Sequence, residues 1–261
     1  MDKYRKAAQA IAVARRNLTP LPPLESDVAP QNLSDGYHIQ DVLHGLLSSD
    51  LGPIVGYKIG CTSLVMQKYL AISHPCSGGL YENRVYESGV TLNAGDFVRI
   101  GVECEIAVRL GQDLPAAGSP FTAEAVGEAV DEYYPAIELV DDRYVKWETL
   151  GAPTLIADDF FSSGIVLGKP KSRKAAPDLL SVVGRALING VEGGRGTGAD
   201  LLGHPHNALA WLANHLAEQG TGLKAGQIVM TGSLVQTIWV NAGDEIEMDY
   251  GTFGMVRLTL S

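Results

Sequence analysis

An α+β fold with a β-rich core is expected for this chain, and three observations carry the expectation. Apolar and polar residues alternate strictly from Val98 to Leu110, the signature of a half-buried strand. Short strand-like runs crowd the C-terminal end, whereas helical spacing is confined to a few separate segments. The 30 glycines suit a fold with many tight turns. No repeat, low-complexity tract or long linker divides the 261 residues, so one domain is expected over 1–261. A helical segment at 1–50 would pack on a β-rich core at 51–261.

The elements follow in order. Two helical segments open the chain; the second carries Ile39, Val42, Leu43, Leu46 and Leu47, with Ser34 or Asp35 as cap. Between them Leu18–Leu24 holds three prolines and reads as an extended connector laid over the body. Ile54–Ile59 is a short strand, and Ser63 caps a helix carrying Leu64, Val65 and Tyr69. After the alternating strand, Ser119-Pro120 starts a helix with Val126, Ala129, Val130 and Tyr133 on its buried face. Phe160–Leu167 is strand-like, and Ala186–Ile188 runs into the hairpin dipeptide Asn189-Gly190. Pro205–Gln219 is a helix stopped by Gly220, and strands at 227–230, 237–240, 245–249 and 255–260 close the chain.

Composition narrows the function. Twenty Lys+Arg against 30 Asp+Glu give a net charge of −10, which argues against nucleic acid and against an anionic membrane surface. With 46% hydrophobic and 19% charged residues the chain is a globular protein long enough to need no staples. Cys61, Cys76 and Cys104 form no CxxC pair, so a reducing, cytoplasmic setting is expected. The apolar run Ala10–Ala14 is short for a signal-peptide core and far too short to span a bilayer.

Glu103-Cys104-Glu105 stands out inside the alternating strand. Residues at i and i+2 share a face, so the two carboxylates converge on one pocket or one patch of solvent. A solvated polar face is the ordinary reading. Gly101 and Ala107, flanking the pair on that face, would leave room above it. A third acid, Glu138, sits in the apolar run Ala136–Val140, where a glutamate is seldom buried without a partner. If the three converge, they make an oxygen-rich site suited to Mg²⁺ or Mn²⁺. Lys58 lies between Gly56 and Gly60; it reads either as a solvated edge charge or as a site residue with a close approach beside it. The glycine-rich stretch 193–198 fits no phosphate-loop spacing, His204-Pro205-His206 reads as helix capping, and no GxSxG occurs.

In their order along the chain these stretches resemble the 2-keto-4-pentenoate hydratase family. They are Gly56–Gly60, Val102–Ala107, Ala136–Val140, Gly194–Gly196, Leu202–Pro205, Met230–Ser233 and Val240–Asp244. That family includes 4-oxalocrotonate decarboxylases and belongs to the fumarylacetoacetate hydrolase superfamily. The resemblance implies a β-rich mixed roll or sandwich core with peripheral helices, usually in a homo-oligomer, sometimes associated with a related decarboxylase or hydratase. It implies Mg²⁺ or Mn²⁺ on Glu103, Glu105 and Glu138, an active-site lysine at Lys58, and pocket positions at Ser162 and Ser233. The implied activity is hydration of a 2-hydroxy-2,4-dienoate through a metal-bound enolate, as in meta-cleavage catabolism of aromatics. Lys58 would orient the carboxylate or transfer protons once burial and the metal lower its pKa. Gly60, Cys76 and Phe160 fall in the implied pocket. Two departures stand there: Cys76 replaces the family's usual acid and Phe160 its usual asparagine. Decarboxylation, tautomerisation and C–C hydrolysis are alternatives on the same enolate, and a non-catalytic partner subunit is another.

Overall fold

The structure is a computed structural model that describes residues 2–261. Its helices are α1 (Lys3–Asn17), α2 (Leu33–Leu51), α3 (Leu64–Tyr69), α4 (Ala123–Ala129), α5 (Ala152–Ala157) and α6 (Pro205–Glu218). Asn32 caps α2, in place of the expected Ser34 or Asp35, because its side chain accepts the Asp35 N–H at 2.9 Å. Asp35 is freed to accept the Tyr4 hydroxyl at 2.7 Å, which ties α1 to α2. The proline-rich connector lies extended as expected, with Leu21 bridged to Tyr144. Buried residues of α1, α2 and α5 share a cluster with Cys61, Cys76 and Phe160. No helix among the described residues is long and apolar enough to cross a membrane.

The strands are β1 (Ile54–Gly60), β2 (Cys76–Tyr81), β3 (Val85–Glu87), β4 (Val90–Leu92), β5 (Ile100–Leu110), β6 (Val130–Asp141) and β7 (Ser162–Leu167). They continue as β8 (Lys171–Ser172), β9 (Val183–Ile188), β10 (Val191–Thr197), β11 (Ile228–Ser233), β12 (Ile238–Trp239), β13 (Glu245–Asp249) and β14 (Met255–Leu260). A nine-stranded mixed sheet runs β2-β1-β11-β5-β6-β7-β3, with β12 beside β5 and β8 beside β6. A five-stranded sheet runs β10-β9-β13-β14-β4. The apolar face of β5 (Ile100, Val102, Cys104, Ile106, Val108, Leu110) packs into one core with β13, β14 and the buried side of α6. Tyr250, at the end of β13, reaches across this core. Its hydroxyl lies 2.7 Å from the carbonyl oxygens of both Glu105 and Ala136, the pair at which β5 meets β6.

Two expected elements are corrected. The helix near residue 120 starts later, at the Thr122 cap, and stops at Ala129. Val130 and Tyr133 belong to β6, because an eleven-residue strand beside them offers a full-length antiparallel partner that outweighs their helical spacing. Phe160 and Phe161 are not strand residues: with Asp159 they form a turn of positive φ before β7 begins at Ser162. The Asn189-Gly190 hairpin, the Ser63 cap and the His204 cap are as expected.

Candidate active site

β5 and β6 pair with Glu103 directly opposite Glu138, and Glu105 follows two residues on. All three carboxylates therefore leave the sheet on one side. One oxygen from each lies within 4.8 Å of the others. Like charges opposed across a ladder destabilise it, and burial adds to the cost: Glu105 and Glu138 are 1% and 0% exposed. Some relief is built in. Glu105 Oε2 accepts the Gly232 N–H at 2.9 Å, and Thr237 Oγ1 donates to Glu103 Oε1. Glu105 Oε1 and Glu138 Oε2 have no hydrogen-bond partner among the described residues. Burial, then the neighbouring carboxylates, raises the Glu105 pKa well above its ordinary value. Burial, eased by Lys58 and reinforced by Glu103, pushes Glu138 up to about 7.

Lys58, 3% exposed, places Nζ 3.2 Å from Glu138 Oε1. Burial lowers its pKa, as the sequence argument requires, but Glu138, Glu103 and Glu105 outweigh burial and hold it above 10.5. Once ionised, three carboxylates against one ammonium leave two negative charges. Two orphaned carboxylate oxygens beside that surplus fit a hard divalent cation such as Mg²⁺ or Mn²⁺. The glycines flanking Lys58 do permit close approach. A Cβ on Gly56 would lie 1.9 Å from the Ile228 carbonyl oxygen, and one on Gly60 would lie 3.0 Å from the Phe160 ring and 3.3 Å from Lys58 Nζ. The Lys58 ammonium sits over the Phe160 ring, 5.4 Å from its centroid.

The other expected site residues are placed unevenly. Cys76 is fully buried opposite Gly60 in the β1–β2 ladder, beside the Cys61 thiol. Its hydrogen bond with Cys61, reinforced by burial, raises its pKa, so it remains a neutral thiol and is no substitute base. Ser233 pairs with Glu105 through the backbone, but its hydroxyl donates to Val235 O at 2.7 Å. Ser162 lines a separate cavity of about 250 Å³ with Arg15 and Arg143, and its carbonyl accepts from Arg143 Nη1. Neither hydroxyl bonds Lys58 or a glutamate. Gly101 leaves no room above the acids, because Thr237 and Trp239 fill the space a Cβ would take.

Comparison with known proteins is decisive. The model for the fumarylacetoacetate (FAA) hydrolase C-terminal domain matches residues 82–261. The 2-hydroxyhexa-2,4-dienoate hydratase of Comamonas testosteroni is 34% identical over 92% of this chain and 90% of its own. The chain belongs to the fumarylacetoacetate hydrolase family. Another member, the 2-keto-4-pentenoate hydratase of Paraburkholderia xenovorans, is 33% identical over 98% of this chain and 94% of its own. Among solved family structures, the 4-oxalocrotonate decarboxylase of Pseudomonas putida G7, complexed with magnesium and adipate, superposes with a TM-score of 0.93. It is 27% identical and covers 99% of this chain and 97% of that one. Within this fumarylacetoacetate hydrolase fold, sequence reasoning missed the groups that hold the site. Thr237 and the Gly232 N–H brace the glutamates, and Arg15, His44, Arg143 and Asp159 brace the Phe160 turn. Their partners lie far away in sequence, up to 144 residues apart for Arg15 and Asp159, so local pattern carries no trace of them.

Proposed function

We propose that this protein is a lyase, a hydratase that requires Mg²⁺ or Mn²⁺ and adds water to a 2-hydroxy-2,4-dienoate of the 2-keto-4-pentenoate type in aromatic catabolism. Residues 1–261 act as one catalytic domain. The observation that carries the reading is the convergence of Glu103, Glu105 and Glu138, with orphaned buried oxygens, on Lys58 in a chain matched end to end by such hydratases. A cation on the three carboxylates would supply Lewis-acid polarisation of the substrate's carboxylate and neighbouring oxygen. The remaining work falls to the chain's own residues.

Lys58 Nζ, positively charged and buried, orients the substrate carboxylate and holds the proton that must travel from the 2-hydroxyl to C5 as the dienol ketonises. Water then adds to the resulting 2-oxo-3-enoate, its hydroxyl at C4 and its proton at C3. Cys76 lends no base, which leaves Lys58 as the proton carrier beside the acids. Phe160 keeps water from the Lys58 ammonium. Ser233, paired with Glu105 through the backbone, supports the wall beside the acids, and Ser162 contributes through its carbonyl, which anchors Arg143. Exposed Leu64, Val65 and Tyr69 on α3 support a homo-oligomer, and three free buried thiols fit a cytoplasmic setting.

The second reading is decarboxylation, favoured by the close likeness to 4-oxalocrotonate decarboxylase. One assay separates the two. Protein with Mg²⁺ is given 2-hydroxypenta-2,4-dienoate, followed by loss of dienol absorbance, and 2-oxo-3-hexenedioate, followed by CO₂ release. Dienol consumption that EDTA abolishes is expected; CO₂ release without it would replace hydration by decarboxylation, and no turnover of either would refute both.

A further inference from the structure

Three consecutive non-glycine residues, Asp159, Phe160 and Phe161, have φ of 54°, 49° and 68°. Left-handed backbone is unfavourable for aromatic residues, and a run of three persists only where the surroundings over-determine it. Here they do. The fully buried Asp159 carboxylate accepts the Gly79 N–H at 2.9 Å, lies 2.6 Å from His44 Nε2 and accepts from Arg15 Nη2 at 3.0 Å. Burial opposes its charge, but His44, Arg15 and Gly79 together hold its pKa below the usual carboxylate range. Arg143 donates to the carbonyls of Phe161 and Ser162 and to Asp158 Oδ2. Gly78 lets the turn seat on β2: a Cβ there would lie 2.6 Å from the Asp159 carbonyl oxygen.

The turn carries two aromatic rings that meet edge to face, their centroids 5.6 Å apart. Phe161 packs edge-on against Tyr144 and Trp147. Beyond that contact Phe160 packs against Gly60 and Lys58. An aromatic face carries negative charge density; it welcomes an ammonium and repels a carboxylate. Among the described residues, the two arginines behind the ring are both engaged. Arg15 and Arg143 are each bonded to Asp158, and Arg15 also to Asp159. A second substrate carboxylate brought against Phe160 would leave water without gaining a donor.

We propose that Phe160 is the specificity-determining residue of this site and that the Asp159 clamp positions it. The site then takes 2-hydroxy-2,4-dienoates whose far end is hydrogen or a short alkyl group and rejects their dicarboxylate counterparts. The proposal rests on the reading of Glu103, Glu105 and Glu138 as the anchor for the substrate's first carboxylate.

Two unreactive six-carbon acids that differ only in a terminal carboxylate, 2-oxohexanoate and 2-oxohexanedioate, test it by calorimetric titration of the full-length protein with Mg²⁺. The wild type is expected to favour the monocarboxylate by about 100-fold. Phe160→Leu keeps that ratio, and Phe160→Asn collapses it to within about 5-fold. Asp159→Asn moves the ratio in the same direction while Mg²⁺ affinity is unchanged, whereas a merely structural role would weaken both acids equally. His44→Gln replaces Asp159→Asn if the latter does not fold. Mg²⁺-dependent binding with a ratio near one in the wild type, or a ratio indifferent to Phe160→Asn, overturns this proposal alone. Absence of Mg²⁺-dependent binding of either acid overturns the metal-site reading, and the proposal with it.

Discussion

Replacing Glu138 by glutamine should cost the protein its cation yet make the cation-free protein more stable. Glu138 is fully buried, and its pKa is pushed from 4.5 up to about 7 by burial and by Glu103, against relief from Lys58. A rise of that size corresponds to about 3 kcal/mol of unfavourable free energy when the group is ionised in the folded chain. The folded pKa lies above the unfolded one. Protonation therefore favours the fold, and that favour is complete below about pH 4.5 and lost as pH rises through 7. Glutamine keeps the shape without the charge. In EDTA at pH 8, Glu138→Gln should melt above the wild type by roughly 5–10 °C, at about 2–4 °C per kcal/mol for a chain of this size. The gap should close as pH falls toward 4.5. Millimolar Mg²⁺ should then raise the wild-type Tm and leave the variant unmoved. Differential scanning fluorimetry across pH 4.5–8 reads all of this. A variant no more stable than wild type at pH 8, or a gap that does not change with pH, would refute the electrostatic reasoning.

Three further outcomes are expected. Mg²⁺ affinity should tighten by up to tenfold per pH unit between pH 5.5 and 7, because the cation displaces the proton held on Glu138; calorimetry in buffers of different ionisation enthalpy should detect proton release at pH 6, and none would contradict the ligand assignment. Lys58→Met should lower kcat by about 10²–10⁴ while Mg²⁺ binding survives, since the ammonium competes with the cation for Glu138; loss of Mg²⁺ binding in that variant would show Lys58 to be structural. Arg143→Met removes a buried partner of Asp158 and the donor to two turn carbonyls, and should cost about 3–5 kcal/mol in urea unfolding; a loss under 1 kcal/mol would show the Phe160 turn to be held elsewhere.

What the sequence shows and what it hides divide along a physical line. Period-two alternation puts Glu103 and Glu105 on one face whatever their surroundings, so that half of the site is legible from β5 alone. The apolar run around Glu138 marks burial, and the register that sets it opposite Glu103 follows once β5 and β6 pair. Val130 and Tyr133 fit a helical spacing as well as a strand, and only the partner strand decides between them. Gly101 shows the limit of reading space from a missing side chain. The room it leaves is filled by Trp239 and Thr237 from a strand more than 130 residues away. The left-handed turn at Asp159–Phe161 contains no glycine, the one residue that would announce it, so it reads as strand.

Two buried ionic clusters flank Phe160, and the contrast between them argues for function at one of them. In the clamp, Arg15 and Arg143 face Asp158 and Asp159, and every carboxylate oxygen has a donor: Asp158 from Arg15 and Arg143, Asp159 from Arg15, Gly79 and His44. A cluster so matched fixes backbone geometry, which is the use it has under Phe160. Across the ring, three glutamates meet one lysine, two oxygens are orphaned, and full ionisation would leave two negative charges in excess. The fold evidently has arginines and backbone N–H groups with which to satisfy buried acids, because it does so a few residues away. Like charges in a low-dielectric interior, left short of donors by a fold able to supply them, persist where something outside the chain completes them. A divalent cation would supply the missing charge, and a substrate that it recruited would have to fit between Lys58 and a ring that the satisfied cluster holds still.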